Sequence, residues 1–160
     1  MKYGHDKAIA IDPCWDITGL KRVLRRKYGV KKIEKAFFTH RHFDHTGGVL
    51  PTFMTGGQKG VRVEGIKEIR DEGADVYVGS KDLSAISRQS SLEERDIGTL
   101  NDDFMIPVGK NGAYISVIET PGHTPGSCCL RLGTKRSEKG ILFTRDTLFI
   151  GSVGRSDLPE

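Results

Sequence analysis

Thr39-His40-Arg41-His42-Phe43-Asp44-His45-Thr46-Gly47-Gly48 packs three imidazoles and a carboxylate into six residues. The stretch before it, residues 33–39 (IEKAFFT), reads as a strand that delivers the chain to His40. Alternate residues of a strand share one side, so His40 and His42 leaving that strand project together, and Asp44 continues the same side. His45 follows where the Gly47-Gly48 pair lets the backbone turn sharply. Such a donor set suits zinc or a borderline transition metal. Without a metal, three close imidazoles would repel one another on protonation and would need buried partners.

Two later segments extend the set. Residues 120–127 (TPGHTPGS) bracket His123 with two prolines and two glycines. Proline fixes φ and glycine permits positive φ, so this loop is rigid and can aim its histidine. Residues 143–149 (FTRDTLF) place Asp146 at the end of an apolar run. An aspartate there is ordinarily a turn or cap residue. The company of four histidines makes it a ligand candidate. Four of the chain's five histidines fall in two short glycine-flanked segments.

Around these motifs, residues 7–12 (KAIAID) predict a strand ending in a turn. Asp16 or Thr18 caps a helix running to about Tyr28, with Leu20, Val23 and Leu24 on one face and Gly29 closing it. Residues 51–64 read as a long loop or lid, 64–72 as a helix closed by Gly73, 75–79 as a strand and 80–87 as helical. Residues 90–103 give no clear signal. Strands are predicted over 104–108, 113–120, 127–132 and 140–144, with turns at 109–112 and 133–139. Strand–helix alternation followed by hairpins predicts an α/β sandwich, sheet on sheet with helices outside. The chain has 160 residues, which fits one domain spanning 1–160.

Composition excludes several classes. Hydrophobic residues at 36% and charged residues at 29% exclude a disordered or collagen-like chain. No run approaches the length of a membrane-spanning helix, and the N-terminus lacks the apolar core of a signal peptide. Cys14, Cys128 and Cys129 form no CxxC pair, which predicts a reducing, cytoplasmic setting. A net charge of +4 is too weak to argue for nucleic acid. The cations of the first helix (Lys21, Arg22, Arg25, Arg26, Lys27), with Lys31 and Lys32, read as a solvated face, because no aromatics interleave as stacking platforms.

Taken in order, THRHFDHTGG, TPGHTPGS and RDTLFIGSVGRSDLP resemble the metallo-β-lactamase fold superfamily over about residues 7–160. Ile11-Asp12-Pro13 and the DTLF…GR-D pattern are similar to its glyoxalase II (hydroxyacylglutathione hydrolase) and persulfide dioxygenase branch. The resemblance implies an αββα sandwich with incomplete N- and C-terminal parts. It implies one metal site of His40, His42, His123 and Asp146. A second would use Asp44, His45, the shared Asp146 and a further histidine near the C-terminus. No histidine follows His123 here, which predicts a weak or empty second site. Arg145 stands where the family usually has glycine.

The resemblance further implies a metal-dependent hydrolase of a thioester such as a hydroxyacylglutathione. It would use one or two metal ions, Zn²⁺ with iron as an alternative. Asp44 would hold the second metal or orient the nucleophile. The implied partner is a small glutathione-derived thioester, with no nucleic acid or membrane. An open sheet edge leaves an oligomer possible. Two other activities compete. A persulfide dioxygenase of the same fold would hold one iron on His40, His123 and Asp146. A truncated homologue would bind metal without catalysis. Strand alternation predicts that Arg145 points away from Asp146 and pairs with an acidic residue or reaches solvent.

Overall fold

Lys-Ile-Glu-Lys-Ala-Phe-Phe, residues 32–38, forms the central strand of the larger sheet, and its apolar residues divide between two cores. Ala36 and Phe38 face a helical layer, and Phe37 faces a second sheet. A strand buried on both faces reads as a near-continuous apolar run, as Ala36-Phe37-Phe38 does.

The computed structural model describes residues 2–3, 6–109, 112–134 and 137–157. In chain order the first elements are β1 (Lys2–Tyr3), β2 (Lys7–Ile11), α1 (Ile17–Tyr28), β3 (Lys32–Phe38), α2 (Phe43–Thr46), β4 (Gly48–Val49) and β5 (Arg62–Val63). Then follow α3 (Ile66–Asp71), β6 (Asp75–Gly79), α4 (Leu83–Ser90), β7 (Gly98–Leu100), β8 (Met105–Val108) and β9 (Ala113–Glu119). The last are β10 (Cys128–Thr134), β11 (Ser137–Phe143), β12 (Leu148–Phe149) and β13 (Ser152–Val153).

The first sheet has the order β1-β2-β3-β6-β7, parallel except at β1–β2. The second is the antiparallel meander β11-β10-β9-β8. Ile17, Ile66, Ile69 and Ile86, one or two from each of α1, α3 and α4, cover one face of the first sheet. Ile9, Phe37 and Leu100 on its other face meet Val108, Ile115, Val117, Cys128 and Leu130 of the second. The chain is thus an α/β sandwich with sheet on sheet and helices outside. Among the described residues no helix is long and apolar enough to cross a membrane.

Both ends of α1 follow from local chemistry. Asp16 Oδ1 accepts from Gly19 N at 2.6 Å, and Gly29 takes the left-handed φ of 66° that closes the helix. Its buried stripe is narrower than the periodicity suggests: Ile17, Leu20 and Leu24 pack inward, while Val23 stays 53% exposed. Three further differences arise. Residues 90–103 contain β7, whose single buried apolar residue, Leu100, is too little for a strand signal. The strands β10 and β11 run to Thr134 and from Ser137, deeper into the polar turn than expected. The lid-like stretch after α2 carries the short pair β4–β5.

Candidate metal centre

The centre forms where the C-terminal end of β3 meets two loops of the second sheet. β3 stops at Phe38, so His40 and His42 do not follow strand alternation. They lie on a bend, with His42 at the N-cap of α2. Thr46 Oγ1 fixes that turn by donating to His42 O at 3.0 Å. At Gly47, φ is 72° and a Cβ would come within 2.7 Å of Gly65 N, so only glycine fits. His123 sits in the 120–127 loop between β9 and β10. Asp146 lies in a single helical turn, Arg145–Thr147, just after β11.

The rings of His40, His42 and His123 lie with centroids 4.6–4.9 Å apart, and His45 is 4.1 Å from His40. Asp146 Oδ2 is 3.5 Å from His123 Nε2 and 4.0 Å from His40 Nε2, and its Oδ1 is 3.3 Å from His45 Nε2. Two groups can therefore hold a cation: His40, His42 and His123, and His40, His45 and Asp146, with donor atoms within 4.8 Å of one another. Asp44 stands at the rim, its carboxylate 3.8 Å from His45 Nε2. Five of the six residues singled out from the sequence thus gather in these two groups, and Asp44 stands at their edge.

Hydrogen bonds on the far ring nitrogens turn the near ones inward. His123 Nδ1 donates to Arg155 O at 2.7 Å, His45 Nδ1 bonds Asp12 Oδ2 at 3.1 Å, and His40 Nδ1 bonds Thr39 Oγ1 at 3.2 Å. A histidine ligand held this way keeps a fixed tautomer and ring orientation. Among the described residues, His40 Nε2 and His123 Nε2 are the only buried side-chain nitrogens or oxygens without a hydrogen-bond partner. Buried polar atoms are nearly always satisfied, so two orphans facing one point fit a metal ion.

Electrostatics agree. Burial, then the neighbouring His45, His42 and His123, push His40 down to about 2. Burial and His123 lower His42. Burial alone would also lower His45, but hydrogen bonding to Asp12 and the Asp12, Asp146 and Asp44 charges raise it overall. Neutral His40 and His42 are in the ligand-ready state.

Three supporting groups escaped sequence reading. Asp12 figured only as a turn residue and part of the Ile-Asp-Pro match. It is buried, and it accepts from Thr39 N and Thr39 Oγ1 at 2.8 Å each. Asp82, fully buried, accepts from Arg41 N, Thr124 Oγ1 and Gly126 N at 3.0, 2.6 and 3.0 Å. The Arg155 carbonyl carries no side-chain signal at all. Arg145 does pair with a carboxylate, Asp12, at 3.1 Å. The strand argument for it fails, because the residue lies past β11 with a left-handed φ of 43°. That φ explains why glycine suits the position.

Residues 3–160 match the metallo-beta-lactamase superfamily. The chain is 30% identical over 149 residues to a hydroxyacylglutathione hydrolase of Salmonella typhi, spanning 93% of this chain and 45% of that enzyme. Of solved structures, a metallo-beta-lactamase from Staphylococcus aureus is similar with a TM-score of 0.66 and 25% identity, over 95% of this chain and 40% of the other. ETHE1 from Myxococcus xanthus shares the fold at a TM-score of 0.60 and 20% identity, over 95% and 52%. The chain spans less than half the length of the Salmonella enzyme. With both the match and the sandwich running through nearly all its residues, the chain belongs to the metallo-beta-lactamase superfamily.

Proposed function

We propose that this chain is a metal-dependent hydrolase of small thioesters such as a hydroxyacylglutathione. The observation that carries the reading is the pair of unpartnered buried nitrogens, His40 Nε2 and His123 Nε2, facing one point with His42 and Asp146. His40, His42, His123 and Asp146 would hold zinc there, which when bound would supply Lewis acidity, bringing the pKa of water from about 15.7 towards 7 and polarising a carbonyl. The chain's own groups do the rest. Asp12, Thr39 and the Arg155 carbonyl hold the rings in place. The Asp44 carboxylate, about half exposed beside His45, holds a second ion or, where none is bound, orients the nucleophile.

Substrate enters by a cleft of about 780 Å³ that opens on His42, His123 and Asp146. Phe43, Phe53 and Phe149 offer it apolar surface, while Arg41 and Arg88 offer charge. Such a lining suits an anionic thioester with an apolar acyl portion. The relatives that hydrolyse hydroxyacylglutathione support the same class.

A second reading rests on a narrower set. His40, His123 and Asp146 alone form two imidazoles and a carboxylate, which suits iron in a dioxygenase acting on persulfides. Elemental analysis of protein purified without added metal, with parallel assays of S-D-lactoylglutathione cleavage and oxygen uptake on glutathione persulfide, separates the two. Zinc with thioester cleavage, abolished in His123→Ala, is expected. Iron with oxygen uptake overturns the hydrolase in favour of the dioxygenase. Metal without either activity leaves a non-catalytic metal-binding homologue.

A further inference from the structure

Arg145 holds a backbone conformation unfavourable for any side chain, with φ at 43°. From there its side chain reaches under the centre. Nε lies 3.1 Å from Asp12 Oδ2, and Nη2 donates to Ile11 O at 3.0 Å. The same Asp12 oxygen accepts from Thr39 Oγ1 at 2.8 Å and bonds His45 Nδ1 at 3.1 Å. One carboxylate oxygen, 2% exposed as a side chain, thus takes two hydrogen bonds and an ion pair with a full cation.

A carboxylate behind an imidazole makes it a stronger metal ligand. A guanidinium on that oxygen takes up part of the negative charge and leaves a positive one next to His45. The guanidinium charge also bears on His40, but of the imidazoles it is His45 that hydrogen-bonds Asp12 directly. His40 reaches Asp12 only through the Thr39 hydroxyl, and His123 leans on the Arg155 carbonyl instead.

We propose that Arg145, acting through Asp12, is a positioning residue that makes the two halves of the centre unequal: the three-histidine group loads one ion tightly, and the His45–Asp146–Asp44 group is held weak. This rests on the metal-centre reading above. The test is zinc titration of the metal-free full chain against a chromophoric chelator, resolving two dissociation constants. In the wild type, one tight and one weak zinc are expected. Arg145→Gly, which also suits the left-handed turn, should tighten the weak constant by about 10- to 100-fold and shift the tight one far less. Arg145→Gln, which removes the charge while keeping the length, should do the same. Arg145→Lys should behave as wild type. The gain should vanish in Asp12→Asn/Arg145→Gly, because the carboxylate that transmits it is gone. Two equally tight ions in the wild type, a weak constant unmoved by Arg145→Gly, or both constants moving together would overturn the proposal. No zinc bound by the wild type at all would instead overturn the centre itself.

Discussion

Asp82 carries no reacting atom, yet one buried carboxylate joins the loop of His40 and His42 to the loop of His123. Asp82→Ala leaves the Arg41 and Gly126 amides and the Thr124 hydroxyl without their acceptor. A stability loss of about 3 kcal/mol or more is expected in urea denaturation, with zinc affinity falling alongside. The histidines respond to acid with opposite signs. His40 titrates at about 2 in the folded chain against 6.5 when unfolded. Between those values only the unfolded chain binds the proton. The stability is whole above pH 6.5 and is lost on acidification, by about 1.4 kcal/mol per pH unit from this group. His42 acts in the same sense. His45, raised, contributes stability below its unfolded value that is lost as pH rises through the folded one. Urea denaturation of the metal-free chain should therefore show stability falling from pH 7 to 5, with the slope flattened in His40→Asn. A rise over that range would mean that His45 dominates.

Elements differ in how openly the chain announces them. Asp16 and Gly29 mark α1 because a cap and a left-handed stop are local events. The six clustered side chains were legible for a similar reason: metal donors are scarce residue types, and their grouping stands out. Their geometry was not. His42 owes its direction to the N-cap of α2, and Arg145 to a turn past β11, where alternation no longer applies. Asp12 and Asp82 were hidden because their partners lie 27 residues away or more, beyond any local pattern. Glycines at element junctions were also opaque. A Cβ on Gly79, at the end of β6, would stand 1.9 Å from Gly126 O in the His123 loop. Gly79→Ala must push that loop away, and a loss of about 1–3 kcal/mol is expected in urea denaturation. Zinc affinity should fall with it, since the displaced loop carries His123. Unchanged stability would mean the junction yields freely.

At the scale of the molecule, the candidate ligands come from both sheets, so an ion would bind only the assembled sandwich. Binding that favours the folded state adds about 2.7 kcal/mol at 100 times the dissociation constant. For a chain of this size that corresponds to a rise of about 5–10 °C in melting temperature on adding zinc, reversed by chelator. A melting temperature indifferent to zinc would argue against a site shared between the sheets.

The bond from Arg145 to Ile11 closes a span of 134 residues. During synthesis the loop of His40, His42 and His45 leaves the ribosome long before Asp146 does. At ordinary translation speeds that interval is about 5–20 s. Through most of it the nascent chain displays the first three imidazoles of the cluster without His123, and throughout it without Asp146. Loading of a site that draws on Asp146 therefore waits for that residue to emerge, however early metal is available to the first three histidines.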